Sequence, residues 1–411
     1  MSFLLYTRKH LLLLFVVTFL VRGMYWFVAV DHSNEHYWEY GEISHNLYEG
    51  KGYSFWSKDN GSLAMKYSES ATPQPSAYML PGYTYYLYPF WVISGSALRS
   101  FLILGIGGWL CSLLVVLLLY LLCEKWLGIR VAIAAAWLYA LTPEFIVAAN
   151  TYSATIIIHA SVLALCLLLQ RKQFHTFSVL LILVSSLVYT SMRPEAVIFI
   201  GMLILYAFLK KQYRFAATAF IGILCVLVPW TIRNYKVFGE FIPLTTSSGQ
   251  NFYRGHNPYG LGVWMDDEMH RRINELPFTP KLEIEMNTIF KQEAWKAIQA
   301  NPVRESWLTI VKAIQLWSVN LTDQRSVHPL YYVPWFAILI CSGIGLYRMR
   351  VQRISIPLPL LLYLCSCTLT AMVFFTLPRY QTMMKIVLLP IAATGVVWVI
   401  DRLYLKNGMN K

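Results

Sequence analysis

Charge is scarce in this chain, and the little there is falls unevenly. Charged residues make up 13% of its 411 positions against 57% hydrophobic ones, and the mean hydropathy is +0.49. That balance excludes an ordinary soluble domain. Acids are the rarer sign, 21 against 34 Lys and Arg, for a formal charge of +13. A surplus of this size invites a nucleic-acid partner, yet the basic residues form no patch. They recur in short loops between apolar runs, so nucleic acid is excluded as a partner. Cysteine is missing wherever a disulfide would form. All seven, Cys111, Cys123, Cys166, Cys225, Cys341, Cys365 and Cys367, lie in or at the ends of apolar runs, which leaves the loops without disulfides or thiolate metal sites.

What is present is a series of runs long enough to cross a hydrocarbon core of about 30 Å. They cover roughly 10–30, 101–123, 129–148, 152–170, 176–192, 195–209, 214–231, 331–347, 355–376 and 383–400. Unpaired backbone is not tolerated in lipid, so this spacing predicts an all-α polytopic membrane protein of about ten transmembrane helices. Arg8 and Lys9, Lys125 and Arg130, Arg171 and Lys172, Lys210, Lys211 and Arg214, Arg348, Arg350 and Arg353, then Arg402 and Lys406 alternate with the runs. By the positive-inside rule both termini are cytoplasmic. Two long segments, 31–100 and about 232–330, then face the exterior. The chain divides into an N-terminal module, 1–230, containing the first exported loop; an extracytoplasmic segment, 231–330, with interfacial helices; and C-terminal transmembrane helices, 331–411. The first run ends in Met24-Tyr25-Trp26-Phe27 with no small-x-small cleavage site, and is expected to be a retained span rather than a removed signal.

The exported loop opens with the polar stretch EYGEISHNLYEGKGYSF at 39–55. On a helix at about 100° per residue, Tyr40, Ile43 and Leu47 share one side and Glu35, Glu39, Glu42 and Asn46 an adjacent one. Gly50 and Gly52 end it. This predicts a short interfacial helix on which Glu39 is the carboxylate nearest the apolar side. A half-buried carboxylate is a candidate general base; solvation of an exposed face explains the acids equally well at this stage. A second Pro- and Tyr-rich stretch, PSAYMLPGYTYYLYPFW at 75–91, reads as another helix lying along the membrane surface. Residues 282–318 read as two helices broken at Asn301-Pro302, the second amphipathic. Asp266, Asp267, Glu268 and His270 match no metal-ligand template and read as a solvated helix start.

The order of these stretches resembles bacterial class C glycosyltransferases, polytopic enzymes related to protein O-mannosyltransferases and aminoarabinose transferases. The resemblance rests on Glu39, Gly41, Ile43, Leu47, Gly50, Gly52 and Tyr53, then Pro75, Ser76, Ala77, Pro81 and Tyr83. SMRPEA at 191–196, the core Trp230, Arg233, Asn234 and Tyr235 within 228–258, and LPRYQTMMKIVLLP at 377–390 support it. It covers most of the chain, though no single motif is specific. Two departures stand out. The loop's acids are spread over Asp31, Glu35, Glu39 and Glu42, and ANTYSATIIIH at 149–159 offers hydroxyls and amides where relatives carry a second acid, with only Glu144 nearby. Both weigh against a two-carboxylate, metal-assisted scheme.

The resemblance implies transfer of a sugar from a polyprenyl-phosphate carrier to an extracytoplasmic acceptor at the inner membrane. Glu39 is the expected catalytic base, with Asp31, Glu35 and Glu42 as alternatives. Arg379, Arg193 and Arg233 are the expected ligands of the carrier phosphate, in competition with simple headgroup anchoring. Tyr40 and Tyr83, with Asn251, Arg254, His256 and Asn257 from GQNFYRGHNP at 249–258, are the expected substrate contacts. No metal or cofactor is expected. A flippase or transporter, with Arg22, Pro143 and His159 along a path, remains an alternative. So does a non-catalytic envelope scaffold, as does a ligase using diphosphate-linked glycans. No inverted repeat is visible, which counts against transport.

Overall fold

The computed structural model describes residues 2–30, 38–59, 62–65, 71–95, 97–171, 173–258, 266–320, 326 and 328–408. Nearly all of it is helix. In chain order the helices are α1 Ser2–Ala29, α2 Trp38–Tyr48, α3 Pro81–Ser94, α4 Ala97–Leu127, α5 Ile129–Leu141, α6 Pro143–Ala148, α7 Thr155–Leu169, α8 Thr176–Met192 and α9 Ala196–Leu209. They continue as α10 Tyr213–Phe238, α11 Ser248–His256, α12 Asp267–Asn274, α13 Leu282–Ala300, α14 Pro302–Trp317, α15 Pro329–Val351, α16 Leu358–Val373 and α17 Pro378–Gly408. Each apolar run is helical, the third being split into α5 and α6 because Pro143 cannot donate to the preceding turn. Among the described residues five helices, α1, α4, α10, α15 and α17, are long and apolar enough to cross a membrane, while α5, α7, α8, α9 and α16 are shorter apolar helices.

Local chemistry explains most of the stops. Gly50 and Gly52, at φ 75° and 74°, take the left-handed conformation that lets the chain leave α2. Gly239, at φ 72°, ends α10, so Trp230, Arg233, Asn234 and Tyr235 belong to its last turns rather than to a loop beyond it. Asn301 caps α14 by accepting from Arg304 N–H at 3.0 Å, and Asp266 caps α12 by accepting from Met269 N–H at 2.9 Å. A hairpin of β1 Ser57–Asp59 and β2 Ser62–Ala64, paired antiparallel with Lys58 opposite Leu63, lies in the segment between α2 and α3. Nothing in the sequence reading anticipates it.

Two apolar clusters hold the chain together. The larger joins α1, α4, α5, α7, α8, α9 and α10 to α15, α16 and α17. The smaller joins the exported loop, through Ile43, Phe55, Trp56 and Tyr78, to Trp230 and to Met286 and Phe290 of α13. Accordingly α2 does not lie bare on a surface: Tyr40 meets Tyr83 of α3 edge-on at 5.3 Å, and His45 stacks on Trp91 at 4.4 Å. Packing on more than one side buries Glu42, while Glu39 stays half-buried. The sequence expectation that Glu39 is the deeper carboxylate therefore differs from the structure.

The short basic loops gather at one end of the bundle. Lys125 donates to Gln170 O at 3.4 Å, Gln212 to Arg171 O at 3.2 Å, and Arg130 pairs with Asp401. Helices α8 and α17 have their other ends at Met192 and Pro378, away from these loops. Within the bundle Arg22 donates to the carbonyls of Thr18 and Ala140 at 3.1 and 3.3 Å and faces the Tyr139 ring. Glu144 at the start of α6 forms a fully buried ion pair with Lys385 of α17, whose ammonium sits 5.0 Å from the Trp335 ring.

Helices α15 and α17 touch backbone to backbone. A Cβ on Gly345 would come 2.0 Å from Ile391 O, and one on Gly395 would come 2.1 Å from Cys341 O. Small residues permit such approach where helices gain little from hydrophobicity alone. Gly345→Ala and Gly395→Ala should each cost about 1–3 kcal/mol by forcing the helices apart. Gly343→Ala, one turn-fraction away with nothing within 4 Å, should be neutral or slightly stabilising. Thermal unfolding of the three variants in one detergent checks this, and equal midpoints would refute the close contact.

Candidate functional site

At the end of the bundle away from the basic loops, helix ends and the two long segments around 31–100 and 232–330 enclose a cavity of about 700 Å³. The first turn of α2 contributes Glu39 and Tyr40, the turn after α8 contributes Arg193 and Glu195, and the start of α17 contributes Arg379 and Tyr380. Loop residue Tyr78 and, from α11 and α13, Gln250, Asn251, Arg254, Asn287 and Lys291 complete the wall away from the bundle.

Tyr40 organises the membrane side. Its hydroxyl donates to Met192 O at 3.0 Å, just before Arg193. Burial pushes its pKa up to about 12, while the opposed fields of Arg193 and Glu195, then Glu39 and Arg379, reach it as well. It is therefore a fixed donor at neutral pH. Arg193 donates to Glu195 at 2.6 Å. Burial works against the Arg193 charge, and Glu195 together with Tyr40 and Tyr380 more than offsets it, holding the guanidinium well above its usual range. Arg193 and Arg379 lie 5.7 and 5.6 Å from the same Tyr380 ring, so two guanidinium groups flank one aromatic face. Tyr380 packs on Phe375 at 5.7 Å, and Arg254 sits 4.2 Å over Phe375. On the opposite wall the Tyr78 hydroxyl donates to Gln250 Oε1. Its pKa is raised by burial first, then by Glu39 and Glu283, with Arg254 and Arg379 opposing.

Of the sequence-derived candidates, Glu39, Tyr40, Arg193, Arg379, Asn251 and Arg254 line this one cavity. Others lie elsewhere. Arg233 donates to Ser76 O at 2.6 Å and Tyr53 O at 3.1 Å, clamped by the Tyr53, Trp230 and Phe238 rings, and braces the exported loop. Tyr83 is buried behind Tyr40 and stacks on Tyr86 at 5.5 Å. His256 has Glu305 Oε2 at 2.6 Å on Nδ1 and Val373 O at 3.0 Å on Nε2. Asn257 is buried and accepts from Arg304 through its carbonyl at 2.9 Å. Glu42 is buried in α2. Asp31 and Glu35 lie outside the described residues. Glu144 is taken up by Lys385.

Several cavity residues escaped the sequence reading: Glu195, Tyr380, Tyr78, Gln250, Asn287 and Lys291. The first three stand inside the stretches SMRPEA, LPRYQ and PSAYM, so adjacency to a candidate could have flagged them. Lys291 and Asn287 had no such signal, because only the crossing of α11 and α13 brings them in.

One buried acid outside the cavity ties its roof together. Glu283 Oε2 accepts from Ala77 N–H at 2.8 Å and from the Thr246 hydroxyl at 2.7 Å, linking both exported segments to α13. Burial raises its pKa to about 7, with hydrogen bonds from Ser76, Thr246 and Ala77 holding it back. A raised carboxylate binds its proton more tightly when folded, so its contribution is full below the unfolded value and is lost as pH rises through about 7. Wild type should therefore lose stability between pH 5 and pH 8. Glu283→Gln keeps an acceptor for Ala77 and cannot ionise, so it should flatten that dependence, gaining about 3 kcal/mol at most over wild type at pH 8. Parallel melting curves of the two proteins across that pH range would contradict it.

No family model and no curated protein matches the chain. Solved structures do. The archaeal oligosaccharyltransferase AglB from Archaeoglobus fulgidus, in complex with an inhibitory peptide and a dolichol-phosphate, matches 98% of this chain and 51% of its own, with a TM-score of 0.57 at 14% identity. The same enzyme tethered to an acceptor peptide containing the NVT sequon gives a TM-score of 0.55 at 13% identity, again over 98% of this chain and 51% of its own. ArnT from Cupriavidus metallidurans bound to undecaprenyl phosphate covers 93% of this chain and 76% of its own at 14% identity, with a TM-score of 0.39 that is too low to argue from. The chain spans about half the length of the archaeal enzyme it matches. At such identity the likeness is one of fold: the chain is an all-α membrane bundle with the class C glycosyltransferase fold.

Proposed function

We propose that this protein transfers a sugar from a polyprenyl-phosphate carrier to an acceptor on the outer side of the bacterial inner membrane. The observation that carries this reading is the convergence of one open carboxylate, Glu39, with Arg193 and Arg379 in a single cavity at the ends of apolar helices. A lipid-tailed donor enters sideways from the bilayer, so its phosphate and sugar arrive at that depth. The basic loops at the opposite end of the bundle favour a cytoplasmic position for that end, and so an outward-facing cavity.

The acceptor hydroxyl gives its proton to Glu39 as its oxygen bonds to the anomeric carbon. The bond from that carbon to the phosphate oxygen breaks, and the carrier departs as a phosphate monoester holding the electron pair. Arg379 and Arg193 stabilise the charge that grows on that oxygen. Glu195 keeps Arg193 oriented before the donor arrives, and Tyr380 holds both guanidinium planes. The base and the cations come from this chain's own side chains, without a metal ion in the scheme.

Three outcomes test this reading. Cells lacking the gene should lose one envelope sugar and accumulate its lipid-linked donor, and wild-type protein but not Glu39→Gln should reverse both; full complementation by Glu39→Gln would remove Glu39 from the chemistry. Arg379→Lys should raise the KM for donor by about tenfold or more, since an ammonium cannot reproduce two parallel bonds to phosphate. Transfer in a reconstituted assay should survive EDTA, and loss of activity restored by manganese would instead bring in a metal.

A further inference from the structure

The exported wall of the cavity carries more positive charge than a carrier phosphate needs. Among the described residues four cationic side chains, Arg193, Arg254, Lys291 and Arg379, line the cavity with two carboxylates, Glu39 and Glu195, and Glu195 is already bound to Arg193. A sugar phosphodiester brings a single negative charge. Two of the cations come from membrane-helix ends and flank Tyr380. The other two come from the exported helices α11 and α13.

Those two helices are built to present donors together. They cross so closely that a Cβ on Gly249 would lie 2.3 Å from Asn287 O, and Gly249 N–H donates to Asn287 Oδ1 at 2.8 Å. Tyr253 packs on Phe290 at 5.5 Å next along the crossing. Gln250 and Arg254 stand one turn apart on α11, as Asn287 and Lys291 do on α13, so each pair shares a face. Gln250 is 4% exposed, and the Tyr78 hydroxyl satisfies its Oε1. Its Nε2 has no hydrogen-bond partner among the described residues although Gln250 lines the cavity. A buried amide donor left unpaired costs about 1–3 kcal/mol, which a ligand acceptor would remove. Lys291 has no carboxylate within ion-pairing distance among the described residues, and burial lowers its pKa. Gln250 Nε2, Arg254 and Lys291 are all donors.

We propose that Gln250, Arg254 and Lys291 form a second anion subsite, which takes a phosphate or carboxylate borne by the acceptor, so that the acceptor is an anionic molecule rather than a neutral glycan or peptide. This rests on the transferase reading above. The subsite holds the acceptor by its charge while Glu39, on the facing wall, receives the proton of the attacking hydroxyl. The second phosphate of a diphosphate carrier has the same chemistry, and the test separates the two sources.

The protein is placed in phosphatidylcholine nanodiscs. In one arm glycerol 1-phosphate and glycerol are titrated with binding read by ligand-observed NMR; in the other, undecaprenyl phosphate and undecaprenyl diphosphate are titrated with binding read by native mass spectrometry. Glycerol 1-phosphate, and not glycerol, should bind wild type. Its affinity should fall about tenfold or more in Arg254→Ala/Lys291→Ala and in Gln250→Glu, which changes the group without truncating a packed side chain. It should persist in Arg379→Ala and in Arg254→Lys/Lys291→Arg. Undecaprenyl phosphate should show the reverse, weakened by Arg379→Ala and indifferent to the exported pair. Unchanged glycerol 1-phosphate binding in both Arg254→Ala/Lys291→Ala and Gln250→Glu overturns the subsite. A diphosphate preference in wild type that vanishes in the double variant reassigns it to the carrier and overturns the anionic acceptor. Wild type that takes glycerol 1-phosphate but no undecaprenyl phosphate would sink the carrier reading, while the subsite would stand on the first arm.

Discussion

Backbone amides and carbonyls have no water to bind in the hydrocarbon layer, so a helix in this bundle can stop only where protein or the interface receives its last turn. That constraint decides where chemistry can sit. Helices α8, α16 and α17 end or begin at one level: the turn from α8 to α9 carries Arg193 and Glu195, the turn after α16 carries Phe374 and Phe375, and the first turn of α17 carries Arg379 and Tyr380. The exported segments are then drawn over these turns. Tyr40 seals against Met192 O, and Gly255 lies so close to Phe374 that a Cβ there would meet its carbonyl oxygen at 1.7 Å. The cavity is what remains between helix ends that must be covered and loops that must cover them.

Elsewhere several buried charges meet partners within the chain, although Arg22 Nε and Nη2 and Glu144 Oε2 make no hydrogen bond among the described residues. Glu144 and Lys385 neutralise each other in the bundle, Arg22 spends donors on helix carbonyls, and Arg233 spends its own on the exported loop. Breaking one side of such a pair leaves an uncompensated buried charge, with a cost of about 3–5 kcal/mol. The Glu144–Lys385 pair also joins α6 to α17 less than two turns from Arg379, so it fixes the register of the helix that presents that guanidinium.

Periodicity and punctuation made the helices legible from sequence. The apolar runs, the glycines at 50, 52 and 239, and the break at Asn301-Pro302 act locally, through backbone conformations that neighbouring residues dictate. Side-chain fate was less legible. Arg233 and Arg379 both stand near a helix end beside aromatics, yet one meets free carbonyls from an exported loop and the other faces open volume. Partners more than a hundred residues away make that difference. Glu39 and Glu42 fall on one helix face, and their ranking by burial turned on the packing of α3 against α2, which periodicity does not encode. The same holds for Glu283, whose carboxylate finds Ala77 and Thr246 only after both exported segments fold.

Helix α9 has 14 residues, a rise of about 21 Å where a bilayer core measures about 30 Å. Its Leu205, Phe208 and Leu209 are mostly exposed, with Phe208 meeting Tyr213 edge-on at 5.4 Å. A stretch shorter than the hydrocarbon core is matched by thinning of the adjacent bilayer or by snorkelling of flanking residues, here Lys210 and Lys211. The cavity opens at the same end of the neighbouring α8 from which α9 departs, through Arg193, Pro194 and Glu195. Any thinning there lowers the bilayer surface beside the cavity mouth, toward the level of Arg193, so the length of α9 and the depth of the cavity are linked.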